Sequence, residues 1–180
     1  MKIQPVIETI NGTYFDFTDP HKHDYPIEEI AHALSNLCRF TGHITSFYSV
    51  AQHSILVSRL LPDHLRLAGL LHDAAEAYLG DVSSPLKALI PAYKILEHEV
   101  EWAIDSKYGT RLDPRDKGLI KLADTRLLVT ERRDLLPASD HRAWDIFSHI
   151  EPLVNTITPM PPHKARAVFL KEYNKCVKAR

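Results

Sequence analysis

The residues whose types and spacing best fit a chemical role lie together at positions 70–76, which read LLHDAAE. On a helix, His72 and Glu76 are four residues apart and share a face. The neighbouring side chains of His72 and Asp73 point about 100° apart, and both can still ligate one ion that lies at the edge between their faces. The stretch therefore predicts a divalent metal held by His72 and Asp73, with Glu76 reaching a water molecule bound to that metal.

Two further candidate ligands lie in other predicted helices. His53 is flanked by apolar residues, and Asp124 lies in the middle of an otherwise apolar helical stretch. An acid in such a place is costly to bury unless it is paired or bound to a metal. Nitrogen and oxygen ligands without a thiolate suit Zn²⁺, Mn²⁺, Co²⁺ or Fe²⁺. Both residues are therefore candidates for the remaining ligand positions.

Composition argues against several other classes of protein. The six glycines never form G-x-G-x-x-G or G-x-x-x-x-G-K-[ST], so neither a dinucleotide fingerprint nor a P-loop is expected. Cys38 and Cys176 are too few and too far apart for a thiolate cluster or a disulfide-dense scaffold. The net charge of −1 indicates no general affinity for nucleic acid. No signal-peptide core or membrane-spanning apolar run is found, so a cytoplasmic protein is expected.

Helices must position these residues, because apolar residues recur at helical spacing along most of the chain after residue 25. The predicted helices cover about residues 26–38, 49–61, 63–79, 92–108, 113–136 and 163–177, with a short helix between Pro85 and Pro91. Residues 3–18 are expected to form a hairpin, since Asn11-Gly12 is typical of a type I′ turn, in which both residues need a positive φ. The sequence thus predicts an all-α bundle with a small N-terminal β-hairpin, in a single domain spanning residues 1–180.

The order of the four candidate ligands resembles the HD superfamily of metal-dependent phosphohydrolases, in which two His and two Asp from separate helices bind a divalent ion. The resemblance implies an HD-domain helical bundle, with its core over about residues 26–136 and a C-terminal helix over about 163–177. It implies Co, Mn, Zn, Fe or Ni as the metal, without identifying which. The ligands that it implies are His53, His72, Asp73 and Asp124.

Further motifs are similar, over about residues 28–136, to the bacterial 5′-deoxynucleotidases and the small phage dATP triphosphohydrolases. Tyr78-Leu-Gly-Asp81 and Ser83-Ser-Pro-Leu-Lys87 follow the His-Asp pair, as in the HDxxExxxGD motif and Ser/Thr-Pro-x-Lys turn of the deoxynucleotidases. Those enzymes have an Arg-Trp pair about fifteen residues before the first metal His. Here Arg39-Phe40 lies fourteen residues before His53, and the change from Trp to Phe leaves base and sugar preference open.

The resemblance assigns a role to each of these residues. Glu76 positions the attacking water or shuttles its proton, and Asp81 acts as a general acid or base near the leaving oxygen. Arg39 and Lys87 neutralise phosphate charge, and Phe40 packs against the deoxyribose or base. The simpler alternatives are a solvated helix acid for Glu76, a turn residue for Asp81, solvated surface cations, and core packing for Phe40.

Two substrates compete within the phosphohydrolase hypothesis. A deoxynucleoside 5′-monophosphate would give deoxynucleoside and phosphate, whereas a dNTP would give deoxynucleoside and triphosphate. Both are attacked at the α-phosphorus, and the pattern of Arg39, Asp81 and Lys87 favours the monophosphate. A cyclic-nucleotide or alarmone hydrolase is a more distant alternative. A non-catalytic module fits less well, because the whole set of reactive groups is present.

The expected partners follow from the same resemblance. A deoxynucleotide is the expected ligand, with no stable binding to nucleic acid or membrane, and a homo-oligomer, either a dimer or a hexamer, is the expected assembly. A basic stretch just beyond Asp124 is expected to form a solvated helix face or a subunit contact. It consists of Arg126, Arg132 and Arg133.

Overall fold

Helices fill most of the chain after residue 26, as the spacing of apolar residues predicts. A computed structural model describes residues 4–139 and 142–179. The described residues form eight α-helices: α1 (Ile27–Asn36), α2 (Val50–Leu60), α3 (Arg66–Leu71), α4 (Glu76–Leu79), α5 (Ser84–Leu89), α6 (Pro91–Tyr108), α7 (Pro114–Leu135) and α8 (Pro162–Lys178). Short 3₁₀ helices lie at Pro20–Lys22, Arg39–Gly42, Asp63–Leu65 and Arg142–Phe147, and none of them was predicted as a 3₁₀ helix. The expectation of an all-α fold with a small hairpin is confirmed.

The N-terminal hairpin pairs β1 (Val6–Glu8) with β2 (Tyr14–Asp16) in antiparallel register, with Ile7 opposite Phe15. The expected type I′ turn at Asn11-Gly12 is wrong, because of the two only Gly12, with φ 72°, has a positive φ. The Gly12 N–H donates to the Thr9 carbonyl at 3.0 Å, and the Thr9 N–H donates to the Thr13 carbonyl at 2.8 Å. A three-residue loop closed by one left-handed glycine therefore joins the strands.

Local capping sets the ends of the longer helices. The Ser49 hydroxyl accepts from the Gln52 N–H at 3.2 Å and begins α2. The Asp113 carboxylate accepts from the Asp116 N–H at 2.8 Å and begins α7, while Gly109, in the left-handed conformation, ends α6. These are the caps that serine, aspartate and glycine provide most readily, so the observed ends lie close to the predicted ones.

The predicted continuous helix over residues 63–79 is wrong, because tight turns at 72–75 separate α3 from α4. The Glu76 N–H donates to the Asp73 carbonyl at 3.0 Å, an i to i+3 bond of the 3₁₀ type. The carbonyl of Gly69, which would accept from the Asp73 N–H in a continuous α-helix, accepts instead from the His72 ring at 2.8 Å. In such a turn residues i and i+3 lie above one another, so Asp73 rather than His72 shares a side with Glu76.

Helix α2 lies at the centre of the bundle and packs against α1, α3, α7 and α8. Eight of its eleven residues are buried, including the polar residues Gln52, His53, Ser54 and Ser58. Two hydrophobic clusters meet along it: one contains Ile55 with residues of α1, α3, α6 and α8, and the other contains Val57 with residues of α3 and α7. A polar side chain on α2 is therefore held deep inside the protein.

The two longest helices, α6 and α7, cover the region around the turn at 72–75. Helix α7 buries Ile120, Ala123 and Leu127 on one side, together with Glu131. Asp124 and Glu131 are seven residues apart, or two turns, and so lie on the same face. Within the part of the chain that the structure describes, no helix combines the length and apolar character needed to cross a membrane.

The contact between α2 and α3 yields a test of the packing. A Cβ on Gly69 would lie 2.2 Å from Leu61 Cδ1 and 3.4 Å from Ser58 Cα, whereas a Cβ on Gly118 would meet no described heavy atom within 4 Å. Both glycines are helical, so alanine brings each the same gain in helix propensity, about 1 kcal/mol. Overpacking at position 69 costs about 1–3 kcal/mol. We therefore expect the free energy of unfolding in urea to be about 1–3 kcal/mol lower for Gly69→Ala than for Gly118→Ala. Equal values would contradict this packing.

Candidate metal centre

Three side chains from two parts of the chain converge in the interior. His53 comes from α2, and His72 and Asp73 come from the turn after α3. The Nε2 atoms of the two histidines lie 3.3 Å apart, and Asp73 Oδ2 lies 3.5 Å from His53 Nε2 and 3.2 Å from His72 Nε2. Atoms that each lie about 2.1 Å from one ion, at right or tetrahedral angles, are about 3.0–3.4 Å apart. The three donor atoms are therefore spaced as ligands of a single ion.

Asp124, on α7, adjoins this group through His53. Its Oδ1 lies 3.3 Å from His53 Nε2, and its Oδ2 accepts from Lys121 Nζ at 2.8 Å. Asp124 lies outside the tighter set of three, in which one donor atom of each residue lies within 4.8 Å of the others. Burial acts to raise the pKa of Asp124, but hydrogen bonding and charge from His53, with further charge from His72 and Lys121, hold it far below its usual value. Asp124 is therefore ionised, as a metal ligand must be.

Both histidines are oriented by hydrogen bonds to their outer nitrogens. His72 Nδ1 lies 2.8 Å from the Gly69 carbonyl, and because a carbonyl oxygen can only accept, this nitrogen carries the proton. His53 Nδ1 donates in the same way to Glu131 Oε1 at 2.6 Å. In each ring Nε2 is the atom that faces the cluster. Metal-binding histidines have this arrangement, in which the outer N–H is fixed by a carbonyl or a carboxylate.

Sequence reasoning missed Glu131, whose side chain is fully buried. In addition to the bond from His53, its Oε2 accepts from Arg39 Nε at 3.2 Å and from Arg39 Nη2 at 3.1 Å. Burial acts to raise the pKa of Glu131, but the charges of Arg39 and His53 outweigh burial and hold that pKa below its usual value. The position of Glu131, two turns after Asp124 on one helix face, is the signal in the sequence that could have identified it.

Arg39 and Phe40 lie beside the cluster in a strained segment. Arg39 is 9% exposed, and its Nη1 lies 3.7 Å from Asp73 Oδ2. Phe40 and Thr41 have φ values of 55° and 54°, in the left-handed region that residues with a Cβ seldom adopt. The Arg39 guanidinium lies 5.5 Å from the centre of the Phe40 ring. The structure therefore brings Arg39 to the cluster and places the Phe40 ring beside the Arg39 guanidinium.

Glu76, Asp81 and Lys87 lie on the side of Asp73 towards α4 and α5. Glu76 is buried, and its Oε2 has no hydrogen-bond partner among the described residues. Burial raises the pKa of Glu76 well above its usual value, and Asp73 and Asp81 raise it further. Burial also raises the pKa of Asp81. The pKa values of both neighbouring acids are thus raised above their usual values.

Lys87 is less available to bind phosphate than the resemblance implies, because it already contacts two carboxylates. Its Nζ lies 3.7 Å from Glu76 Oε1 and donates a hydrogen bond to Glu97 of α6, a residue that sequence reasoning did not single out. Its side chain is 18% exposed. Lys87 therefore reaches the site between two carboxylates and offsets part of the negative charge around Glu76.

A cavity of about 300 Å³ opens beside the donor atoms and was not foreseen from the sequence. His72, Asp73 and Asp124 line one end. Helices α6 and α7 contribute charged residues and the apolar residues Ile104 and Ile120, and α3, the turn at 72–75 and the segment between α6 and α7 complete the lining. The charged residues from these helices are Glu101, Asp105, Lys117 and Lys121. Its volume lies at the lower end of the range for small-molecule sites.

The basic stretch beyond Asp124 holds the segment that precedes α8. Arg126 Nε donates to the Glu151 carbonyl at 3.2 Å, and Arg133 Nη1 donates to the Leu153 carbonyl at 2.6 Å. Arg132 Nη2 donates to the Ser139 carbonyl at 3.3 Å. These arginines have contacts within their own chain and lie apart from the cavity lining.

Comparison with known proteins identifies relatives along nearly the whole chain. No protein-family model matches it. The "Uncharacterized protein YfdR" of Escherichia coli strain K12 is 40% identical over 169 residues, which cover 93% of this chain and 93% of that protein. The "Uncharacterized protein RCAP_rcc00048" of Rhodobacter capsulatus is 34% identical over 180 residues, with 92% of each chain covered.

The electrostatics of His53 predict how metal affinity depends on pH. Burial and the charge of Arg39 act to lower its pKa, but Glu131 and Asp124 raise it to about 9. Below that pH the metal-free ring is protonated, so a metal must displace a proton, and affinity falls as pH falls. We expect the Co²⁺ association constant, measured by calorimetry, to rise about tenfold per pH unit from pH 6.5 to 8.5. An affinity independent of pH across that interval would contradict the assignment of His53 as a ligand.

Proposed function

This chain belongs to the family of the Escherichia coli protein YfdR, and we propose that it is a metal-dependent phosphohydrolase. Its proposed reaction converts a deoxynucleoside 5′-monophosphate into a deoxynucleoside and phosphate. One observation carries the proposal: nitrogen and oxygen donors of His53, His72 and Asp73 lie 3.2–3.5 Å apart, next to the buried carboxyl of Glu76, whose Oε2 has no hydrogen-bond partner among the described residues. Metal-dependent phosphate hydrolysis needs a metal ion to activate water and a nearby group to accept the proton of that water.

The donor set fits a divalent first-row metal. Two imidazole nitrogens and two carboxylates suit Co, Mn, Zn, Fe or Ni, and the donor chemistry does not select among these ions. His53, His72, Asp73 and Asp124 would hold the ion. When bound, it would polarise a phosphoryl oxygen and lower the pKa of adjacent water toward neutrality.

Glu76 and Asp81 supply the proton transfers of the proposed reaction. Glu76 accepts a proton from the attacking water as the water oxygen bonds to phosphorus, and its raised pKa suits a base. Asp81, whose pKa burial also raises, donates a proton to the 5′ oxygen as the bond between phosphorus and that oxygen breaks. One water is thereby added across the ester, and one proton then passes from Glu76 to restore Asp81.

The cations of the site stabilise the phosphate and its neighbours. Two Arg39 donors are engaged by Glu131, and Nη1 is directed towards Asp73, where it can donate to a phosphate oxygen. Lys87, held by Glu97, lowers the repulsion between Glu76 and an incoming phosphate. Phe40, which stacks beside Arg39, is proposed to contact the sugar or base.

The charge of the cavity favours a monophosphate over a triphosphate. Lys117 and Lys121 line it together with Glu101 and Asp105, in addition to the carboxylates of Asp73 and Asp124. This lining has no excess of positive charge to bind two further phosphates. Its volume of about 300 Å³ and its apolar wall suit a small ligand, and the residues that line it do not include Arg39, Phe40, Glu76, Asp81 or Lys87.

The proposal extends to location and assembly. A cytoplasmic homo-oligomer, a dimer or a hexamer, is proposed on the resemblance stated from the sequence. The proposed partner is a deoxynucleotide, with neither nucleic acid nor membrane as a stable partner. The single domain over residues 1–180 is proposed on the same basis.

A substrate panel tests the proposed function. We expect protein loaded with Co²⁺ or Mn²⁺ to release inorganic phosphate from dNMPs, with lower rates on ribonucleotides and dNTPs, and we expect a chelator to abolish release. Chromatography of the products separates phosphate from triphosphate. Triphosphate release from dNTPs would move the assignment to the triphosphohydrolase alternative, and a metal-loaded protein that leaves the whole panel intact would contradict the proposal.

Glu76→Gln and Asp73→Asn serve as matched variants in that assay. Glu76→Gln removes the proposed base but no proposed ligand, so kcat is expected to fall by about 100-fold or more with metal affinity retained. Asp73→Asn removes a proposed ligand, so kcat and metal affinity are both expected to fall. Loss of metal in Glu76→Gln would make Glu76 a ligand instead.

A further inference from the structure

One buried carboxylate, that of Glu131, contacts both a candidate metal ligand and a candidate phosphate-binding residue. Glu131 Oε1 accepts from His53 Nδ1 at 2.6 Å, and Glu131 Oε2 accepts from Arg39 Nε and Nη2 at 3.2 Å and 3.1 Å. The side chains of Glu131 and His53 are fully buried, and that of Arg39 is 11% exposed. Three hydrogen bonds thus run from one side chain to a metal-ligand candidate and to a phosphate-binding candidate.

We propose that Glu131 is a positioning residue that orients His53 towards the ion and Arg39 towards the phosphate with a single carboxylate. The metal half of this proposal rests on the donor geometry alone. The phosphate half rests on the proposed function.

The contact with His53 fixes a ring that could otherwise rotate. The bond from Nδ1 makes Nε2 the nitrogen that faces His72, Asp73 and Asp124, at 3.3 Å, 3.5 Å and 3.3 Å. A carboxylate on the outer nitrogen also makes the inner nitrogen a stronger ligand. Loss of such a partner typically lowers metal affinity about 10–100-fold.

The contact with Glu131 fixes the side chain of Arg39, and the two residues that follow Arg39 have a strained backbone. Phe40 and Thr41 both have positive φ, a conformation that persists where surrounding contacts hold it. With Nε and Nη2 engaged by Glu131, Nη1 is the guanidinium nitrogen near the cluster, 3.7 Å from Asp73 Oδ2. Glu131 therefore leaves the Nη1 edge of the guanidinium facing Asp73, where the phosphate is proposed to bind.

A purely structural ion pair would not need this arrangement. Burying an ion pair is often no more stabilising than apolar packing of the same volume. His53 and Arg39, which donate hydrogen bonds to Glu131, are both site candidates, and two turns separate Glu131 from Asp124 on the same face of α7. The location of these contacts points to positioning of the site.

The chain provides a matched control in Glu29 of α1. Its side chain is 3% exposed, and its Oε1 lies 2.6 Å from His23 Nε2 and accepts from the Tyr78 hydroxyl at 2.8 Å. It is thus a buried glutamate with a histidine contact of the same length, outside the donor cluster. Glu29→Gln controls for the general effect of neutralising a buried carboxylate.

The test is a Co²⁺ titration followed by visible absorption, with circular dichroism to verify folding. We expect Glu131→Gln to bind Co²⁺ about 10–100-fold more weakly, with altered d–d bands, and Glu29→Gln to stay within threefold of the unaltered protein. The KM for a dNMP is expected to rise further than kcat falls in Glu131→Gln. Unchanged affinity and bands in folded Glu131→Gln would overturn the proposal.

Glu131→Asp keeps the proposal testable if Glu131→Gln does not fold. It retains the charge, but its side chain is shorter by one methylene and cannot reach both His53 and Arg39. Weaker Co²⁺ binding is therefore still expected, and unchanged binding would overturn the proposal. Co²⁺ binding by unaltered protein that hydrolyses no nucleotide would overturn the proposed function and leave the orientation of His53 standing. Absence of Co²⁺ binding by unaltered protein would overturn both.

Discussion

The structure depends on an imidazole buried among carboxylates. His53 has no exposed surface and contacts Asp73, Asp124 and Glu131. Charges removed from water are costly unless each is compensated, and the carboxylates here repel one another as well. Burial raises the pKa of Glu76, and repulsion from Asp73 and Asp81 raises it further. A divalent cation between the donors would relieve the repulsion between these carboxylates, which supports the proposal of a metal centre.

Each element around His53 places one or two of the side chains that surround its buried ring. Helix α2 is buried along most of its length, so the ring is carried to the centre of the bundle. The tight turn at 72–75 directs His72 and Asp73 into the same space, and the Gly69 carbonyl orients His72. Helix α7 closes the far side with Asp124 and Glu131 on one face. Three packed elements, distant in sequence, therefore produce one set of donor atoms.

The sequence was sufficient for most of the helices, because apolar spacing and caps are local signals. It also predicted four candidate ligands, of which the structure groups His53, His72 and Asp73 most closely. The tight turn at 72–75 was not predictable, since in it the His72 ring replaces the Asp73 N–H as the donor to the Gly69 carbonyl. Glu131 and Glu97 were missed for a related reason. Their partners, Arg39 and Lys87, come from other elements, and only the packing of those elements brings them together. The left-handed conformation of Phe40 likewise has no local cause such as glycine.

Crystals grown with Mn²⁺ and measured for anomalous scattering test the central claim most directly. The account predicts one anomalous peak about 2.0–2.4 Å from His53 Nε2, His72 Nε2 and carboxylate oxygens of Asp73 and Asp124. Because Asp124 lies outside the tighter set of three donors, its distance to the peak is the most sensitive part of the result. A peak bound elsewhere, or none at saturating Mn²⁺, would contradict the account.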